Sequence, residues 1–158
     1  MRNWDKTQKG KEWHKRYIKE WFKTEIGKQY IESQKKYRKQ YNKFWAKKKR
    51  QNDPRFRLDV NIASIISTSL KGKKAGKKWE GLVGYTIDDL MKHLEKQFDD
   101  KINWGNYGSY WSVDHIKPRS LFKYKTTEDP EFKKCWALEN LQPLEKKINI
   151  KKSNYFLK

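Results

Sequence analysis

The first 53 of the 158 residues contain no leucine, no valine and no proline, yet they hold ten aromatic residues. A segment built from rings with so few aliphatic partners cannot close a conventional core by itself. It also carries 18 Lys and Arg against 6 Asp and Glu, a net charge of +12 that opposes compaction. Aliphatic residues gather only past Asp53-Pro54, with Leu58, Val60, Ile62, Ile65, Ile66 and Leu70 in quick succession. The chain therefore divides into a basic aromatic arm, 1–53, and a domain, 54–158, that must contain the core.

Within the arm, Trp13, Tyr17 and Trp21 recur at four-residue intervals, with Ile18, Phe22 and Ile26 along the neighbouring edge. Tyr30, Tyr37, Tyr41 and Phe44 keep helical spacing further on. The pattern predicts one or two amphipathic helices, with Gly27 as the expected interruption. A continuous helix over 11–50 would be about 60 Å long. Two uses of the arm stay open: the aromatic stripe packs on the rest of the chain or on a second copy, or the basic face lies along phosphates. Arg16 and Lys36 are the arm's candidate phosphate contacts.

The domain reads as α+β and mostly helical. A helix enters the core at 57–70, and Thr86 to Asp89 forms a capping box that opens another helix to about Phe98. Residues Lys71 to Lys78, K-G-K-K-A-G-K-K, lack the G-x-x-x-x-G-K-[ST] pattern of a nucleotide-binding loop. Lys73 and Lys74 in this loop are read as contacts to a nucleic-acid backbone. A short strand is expected at Val113–Ile116, a helix from Pro130 to about Cys135, a second strand at Leu141–Leu144 and a last helix from Glu145 to about Lys151.

Composition narrows the partners. The net charge of +20 attracts polyanions, and the broken, Leu-poor aromatic face suits nucleic acid better than a membrane surface. No apolar run approaches the ~20 residues of a membrane span. Cys135 is the single cysteine, which excludes an intramolecular disulfide and a four-cysteine zinc site. The expected setting is an intracellular, reducing, DNA-containing compartment, such as a bacterial or phage-infected cytoplasm.

The chemistry concentrates near the C-terminal end. Residues Trp111 to Pro118 read W-S-V-D-H-I-K-P, Glu139 to Leu144 read E-N-L-Q-P-L, and Asn149 to Lys152 read N-I-K-K. A carboxylate beside an imidazole, with two carboxamides downstream, offers oxygen ligands for one divalent cation and a base for water. Together with G-Y-T at Gly84 to Thr86, H-L-E-K-Q-F at His93 to Phe98 and W-G-N-Y-G at Trp104 to Gly108, these motifs resemble those of the HNH endonucleases. The resemblance is strongest from about Leu82 to Asn154. It implies a ββα-metal (His-Me finger) core at about 109–154, preceded by helices and by the long basic arm.

The resemblance also implies roles. His115 would be the general base, since neutral imidazole deprotonates water near neutral pH. Asp114 and Asn149 would hold one metal ion, Mg²⁺ or Mn²⁺ given their oxygen donors. Asn140, grouped with His115 as catalytic, would brace the loop at Pro118 and help hold the His115 ring through hydrogen bonding, and Lys117, Arg119 and Lys152 would hold phosphates. Because neighbours on a regular strand face opposite ways, Asp114 and His115 can share a site only where the strand ends or kinks. His93 and His14 are read as structural or incidental.

The expected function is metal-dependent hydrolysis of phosphodiester bonds in DNA, double-stranded DNA foremost, with no membrane partner and with a homodimer left open. The competing class is a non-catalytic basic nucleic-acid-binding or architectural protein. Removing residues 1–50 decides the arm's role: if it neutralises five phosphates, the slope of log K against log salt flattens by roughly 4 to 5 units. An unchanged slope in a truncated protein that still folds assigns the stripe to packing.

Overall fold

The computed structural model describes residues 7–71 and 76–155. The chain folds as two units, Met1–Lys48 and Lys49–Lys158. The first lies within the expected arm. Its boundary falls inside a helix, whereas Asp53-Pro54 marks the start of the next one.

In the first unit, α1 spans Gln8–Trp21 and is opened by Thr7, whose hydroxyl accepts the Gly10 N–H at 3.0 Å. Helix α2 spans Glu25–Asn52. The interruption lies at 22–24, not at Gly27 as the sequence predicts. Thr24 supplies the new start: its hydroxyl accepts the Gly27 N–H at 3.1 Å and donates to the Trp21 carbonyl at 2.6 Å. Gly27 is needed for space and not for a hinge. A Cβ built there would lie 2.1 Å from the Trp21 carbonyl oxygen.

In the second unit, α3 (Pro54–Ser69) begins where Asp53 caps the Phe56 N–H at 2.9 Å and proline occupies the first turn. Its buried residues Leu58, Ile62 and Ile66 lie four apart, one stripe facing the core. A single turn, α4 (Glu80–Val83), ends at Gly84, whose φ of 87° is the left-handed conformation glycine tolerates. The Thr86–Asp89 capping box is present and opens α5 (Ile87–Glu95), which buries Ile87, Leu90 and Leu94. This helix stops short of the expected Phe98. The chain turns after Glu95, and Phe98 packs edge-on against Trp104 and Trp111 at 5.3 and 5.2 Å between ring centroids.

Strands β1 (Trp111–His115) and β2 (Leu141–Glu145) form one antiparallel sheet, with Asp114 opposite Gln142 and His115 opposite Leu141. Helix α6 (Pro130–Trp136) lies between them in sequence, and α7 (Lys146–Lys152) follows β2 directly. The unit is thus α+β: mostly helical, with a small two-stranded sheet. Trp111, Trp136, Phe132, Leu58, Ile62 and Leu141 are the heart of its core. His93 is tied into this frame, its Nε2 lying 3.0 Å from the Leu141 carbonyl oxygen, the structural part the sequence assigns it. Arg57 crosses the unit, donating to the Arg50 and Gln51 carbonyls at 2.6 Å each and to the Tyr107 carbonyl. No helix among the described residues is long and apolar enough to cross a membrane.

Two of the helical glycines, Gly27 and Gly81, give a paired test. Gly27→Ala forces a clash with backbone, and overpacking of this kind typically costs about 1–3 kcal/mol. Gly81→Ala meets nothing within 4 Å, so removing glycine's unfolded-state freedom should leave stability unchanged or raise it by about 0.4–1 kcal/mol. Thermal unfolding followed by circular dichroism separates the two; equal behaviour would contradict the close approach at Gly27.

Candidate active site

β1 ends at His115, and the chain then turns through Ile116 to Pro118. This strand end lets adjacent side chains share one space. A cavity of about 350 Å³ is lined by Asp114, His115 and Asn149 together with Arg119 and Trp136. Ile62 and Ile65 of α3 form its apolar wall.

Asn140 fixes the turn. Its Oδ1 accepts the Lys117 N–H at 2.8 Å, and its Nδ2 donates to the carbonyls of Cys135 at 2.9 Å and Lys117 at 3.3 Å. Its own carbonyl accepts the Ile116 N–H at 2.8 Å. Both amide hydrogens are therefore used on backbone, and Asn140 acts on the segment that carries His115 instead of on the ring. The ring is held by Trp136, edge to face at 4.8 Å.

His115 Nε2 is buried and, among the described residues, has no hydrogen-bond partner. Burial pushes the imidazole pKa down to about 4, helped by the positive charges of Arg119 and Lys152 and opposed by Asp114. The ring is therefore neutral at pH 7 and able to accept a proton. An anion entering the cavity would raise its basicity, because a nearby negative charge favours imidazolium.

Asp114 Oδ2 accepts from Gln142 Nε2 at 3.0 Å and from Lys152 Nζ at 2.5 Å. Lys152 also donates to the His115 carbonyl at 2.5 Å, and its side chain is only 3% exposed. The expectation that Lys152 holds phosphates is corrected here: the ammonium is buried inside the unit as the counter-charge of Asp114. Asn149, one turn earlier on α7, donates from Nδ2 to the Ser112 hydroxyl at 3.1 Å, which leaves its carbonyl oxygen as a donor atom.

The remaining expected contacts are dispersed. Arg119 is exposed at the cavity rim, while the Lys117 ammonium lies over the Phe122 ring at 4.4 Å. Arg16 on α1 and Lys36 on α2 are exposed in the first unit. Lys73 and Lys74 fall outside the described residues. Three contributors escape the sequence reading: Trp136, Gln142 and Ser112. Only the β1–β2 register and the packing of α6 and α7 reveal them. Among the described residues, no cluster of three or more His, Cys, Asp or Glu is placed to hold a metal.

Fold and site together define a small α+β domain in which a two-stranded sheet and the helix after it bring a carboxylate, an imidazole and a carboxamide to one cavity. Two uncharacterized proteins of Acanthamoeba polyphaga mimivirus are similar in sequence. One, L246, is 33% identical over 104 residues, 66% of this chain and 45% of the relative. The other, L426, is 33% identical over 119 residues, 70% of this chain and 51% of the relative. The chain thus spans about half the length of the curated relatives it matches. No protein-family model and no solved structure matches it.

Two stability measurements probe the site. Lys152→Met leaves the Asp114 carboxylate buried without its counter-charge, which should cost about 3–5 kcal/mol. Adding Asp114→Asn should recover much of that loss, and an additive double variant would show that the pair is not coupled. The second concerns pH. His115 is favoured neutral in the folded chain, so the unfolded chain takes up the proton first as pH falls below about 6.5. Stability should drop by up to about 2 kcal/mol between pH 7 and pH 5, through loss that runs toward the folded value near 4. Urea unfolding of wild type and His115→Gln at both pH values checks this; equal pH dependence would refute the depressed pKa.

Proposed function

We propose that the chain is a divalent-metal-dependent DNA endonuclease of the HNH type, with β1, β2 and α7 as its ββα-metal core. The observation that carries this reading is the meeting of Asp114, His115 and Asn149 in one cavity, with Asn140 bracing the turn between β1 and the loop. A merely structural Asp-His pair has no need of an imidazole with a buried, unpartnered nitrogen.

The donor set suits a hard cation. The Asp114 carboxylate and the Asn149 carbonyl oxygen would hold it, as Mg²⁺ commonly uses one or two carboxylates plus water and substrate phosphate. Such an ion supplies neutralisation of charge at the phosphate and at the departing oxygen. The chain's own residues do the rest. His115 accepts the proton of the attacking water, Trp136 and the Asn140-braced turn hold its ring, and Arg119 at the rim meets the phosphate's negative charge. Lys152 already neutralises part of Asp114, so the ion competes with an internal ammonium for that carboxylate.

This same contact favours the second reading, a non-catalytic nucleic-acid-binding protein in which Asp114 and Lys152 simply pin α7 to β1. Supercoiled plasmid distinguishes the two. With Mg²⁺ or Mn²⁺ the wild type should convert it to open-circle or linear product and EDTA should stop it. His115→Ala should lower the rate by roughly 10²- to 10⁴-fold, the usual worth of a positioned base, with DNA affinity nearly unchanged. Intact plasmid under all metal conditions, with DNA still bound, would establish the binding protein instead.

A further inference from the structure

The first unit presents its rings to solvent. Tyr17, Tyr37, Tyr41 and Phe44 are 55–66% exposed, and Trp13 and Tyr30 about half exposed. Some are already arranged as flat platforms. Trp13 and Tyr17 stack at 5.3 Å with 10° between planes, and Tyr37 and Tyr41 lie at 6.4 Å with 21° between planes. At about 100° per residue, Tyr30, Tyr37, Tyr41 and Phe44 fall within about 60° of one another around α2. Lys48 continues that strip, and Arg38 and Lys47 are exposed about 90° to either side of its centre.

We infer that this aromatic strip is a stacking surface for unpaired bases, and that the first unit takes single-stranded nucleic acid. Charge excludes the simplest rival. A second copy would bring a net +12 over residues 1–53 against another +12, and such like charges repel unless an anion lies between them. A helix that sinks into a lipid surface presents Trp, Phe and Leu, whereas this strip is three tyrosines and one phenylalanine, in a segment with no leucine. Duplex DNA satisfies the lysines but keeps its base faces inside the stack, where tyrosines on a helix surface cannot reach them. A single strand offers phosphates to the lysines and open base faces to the rings, which is the combination single-strand binding surfaces use. DNA and RNA share this chemistry. The inference rests on the nucleic-acid reading of the chain, but not on cleavage.

The test uses the full chain in EDTA, with tryptophan fluorescence and anisotropy, against a 20-nucleotide oligo(dT), an oligo(U) of the same length and a 20-base-pair duplex. The wild type should bind a single strand more tightly than the duplex, with quenching that marks stacking; the two single strands tell whether DNA or RNA is preferred. Each base–aromatic stack is worth roughly five- to a hundred-fold in affinity, so Tyr17→Ser, Tyr37→Ser, Tyr41→Ser and Phe44→Ser combined should weaken oligo binding by at least about tenfold. Duplex binding should change by less than about twofold, because the lysines remain. The conservative Tyr17→Phe, Tyr37→Phe, Tyr41→Phe variant keeps the rings and should keep the affinity even if the serine variant loses helicity. Duplex preference in the wild type, an equal loss for both strand types, or conversion of a dimer to a monomer with oligo affinity intact would each overturn the inference. Plasmid cleavage without single-strand preference removes this inference alone; binding to no nucleic acid removes the nuclease reading with it.

Discussion

A buried ammonium holds the site together. Lys152 reaches from the last turn of α7 to the Asp114 carboxylate and to the His115 carbonyl on β1, both at 2.5 Å. Taking two charges out of water costs several kcal/mol per ion, and the contact offsets this only with good geometry and further hydrogen bonds. Both conditions are met, since Gln142 fills another position on the same carboxylate. The result fixes α7 against β1, and with it Asn149, one turn before Lys152. Asn140 does the corresponding work just past the same end of β1, where it spends its whole amide on the backbone of the turn and of Cys135. Neither Asn140 nor Lys152 lines the cavity, whereas His115 and the exposed Arg119 do.

Much of the frame is legible in the sequence because its signals are local. Asp53-Pro54 and Asp129-Pro130 start helices, Thr86 and Asp89 close a capping box, and N-L-Q-P-L lies where β2 begins. The gathering of Asp114, His115 and Asn149 is also foreseeable, through the strand end that their shared use requires. What escapes is non-local. Lys152 reads as a phosphate contact until the packing of α7 on β1 buries it against Asp114. Gln142 faces Asp114 only once the register is known, and Trp136 reaches His115 only through the placement of α6. Gly27 misleads for a different reason. Glycine weakens helices on average, but here it is inside one, where a backbone carbonyl leaves no space for a side chain.

The two units obey different physics. The second buries aliphatic and aromatic residues around Trp111 and Trp136 and pairs the deeply buried charge of Lys152. The first carries rings at the surface among unbalanced lysines, a state that water tolerates and a polyanion stabilises. In the proposed function the division is one of labour: one unit retains nucleic acid by charge and stacking, the other performs a proton transfer at a phosphate.

The proposed chemistry turns on a single imidazole in a cavity open to small molecules, and this invites chemical rescue. His115→Gly removes the ring from beside Trp136 and leaves a space that free imidazole can enter. In a metal-containing reaction on labelled DNA, the account predicts that added imidazole restores cleavage to the glycine variant in proportion to its unprotonated fraction, and leaves the wild type unaffected. Rescue that fails, or that follows the protonated form, while the wild type cleaves normally would contradict His115 as the base.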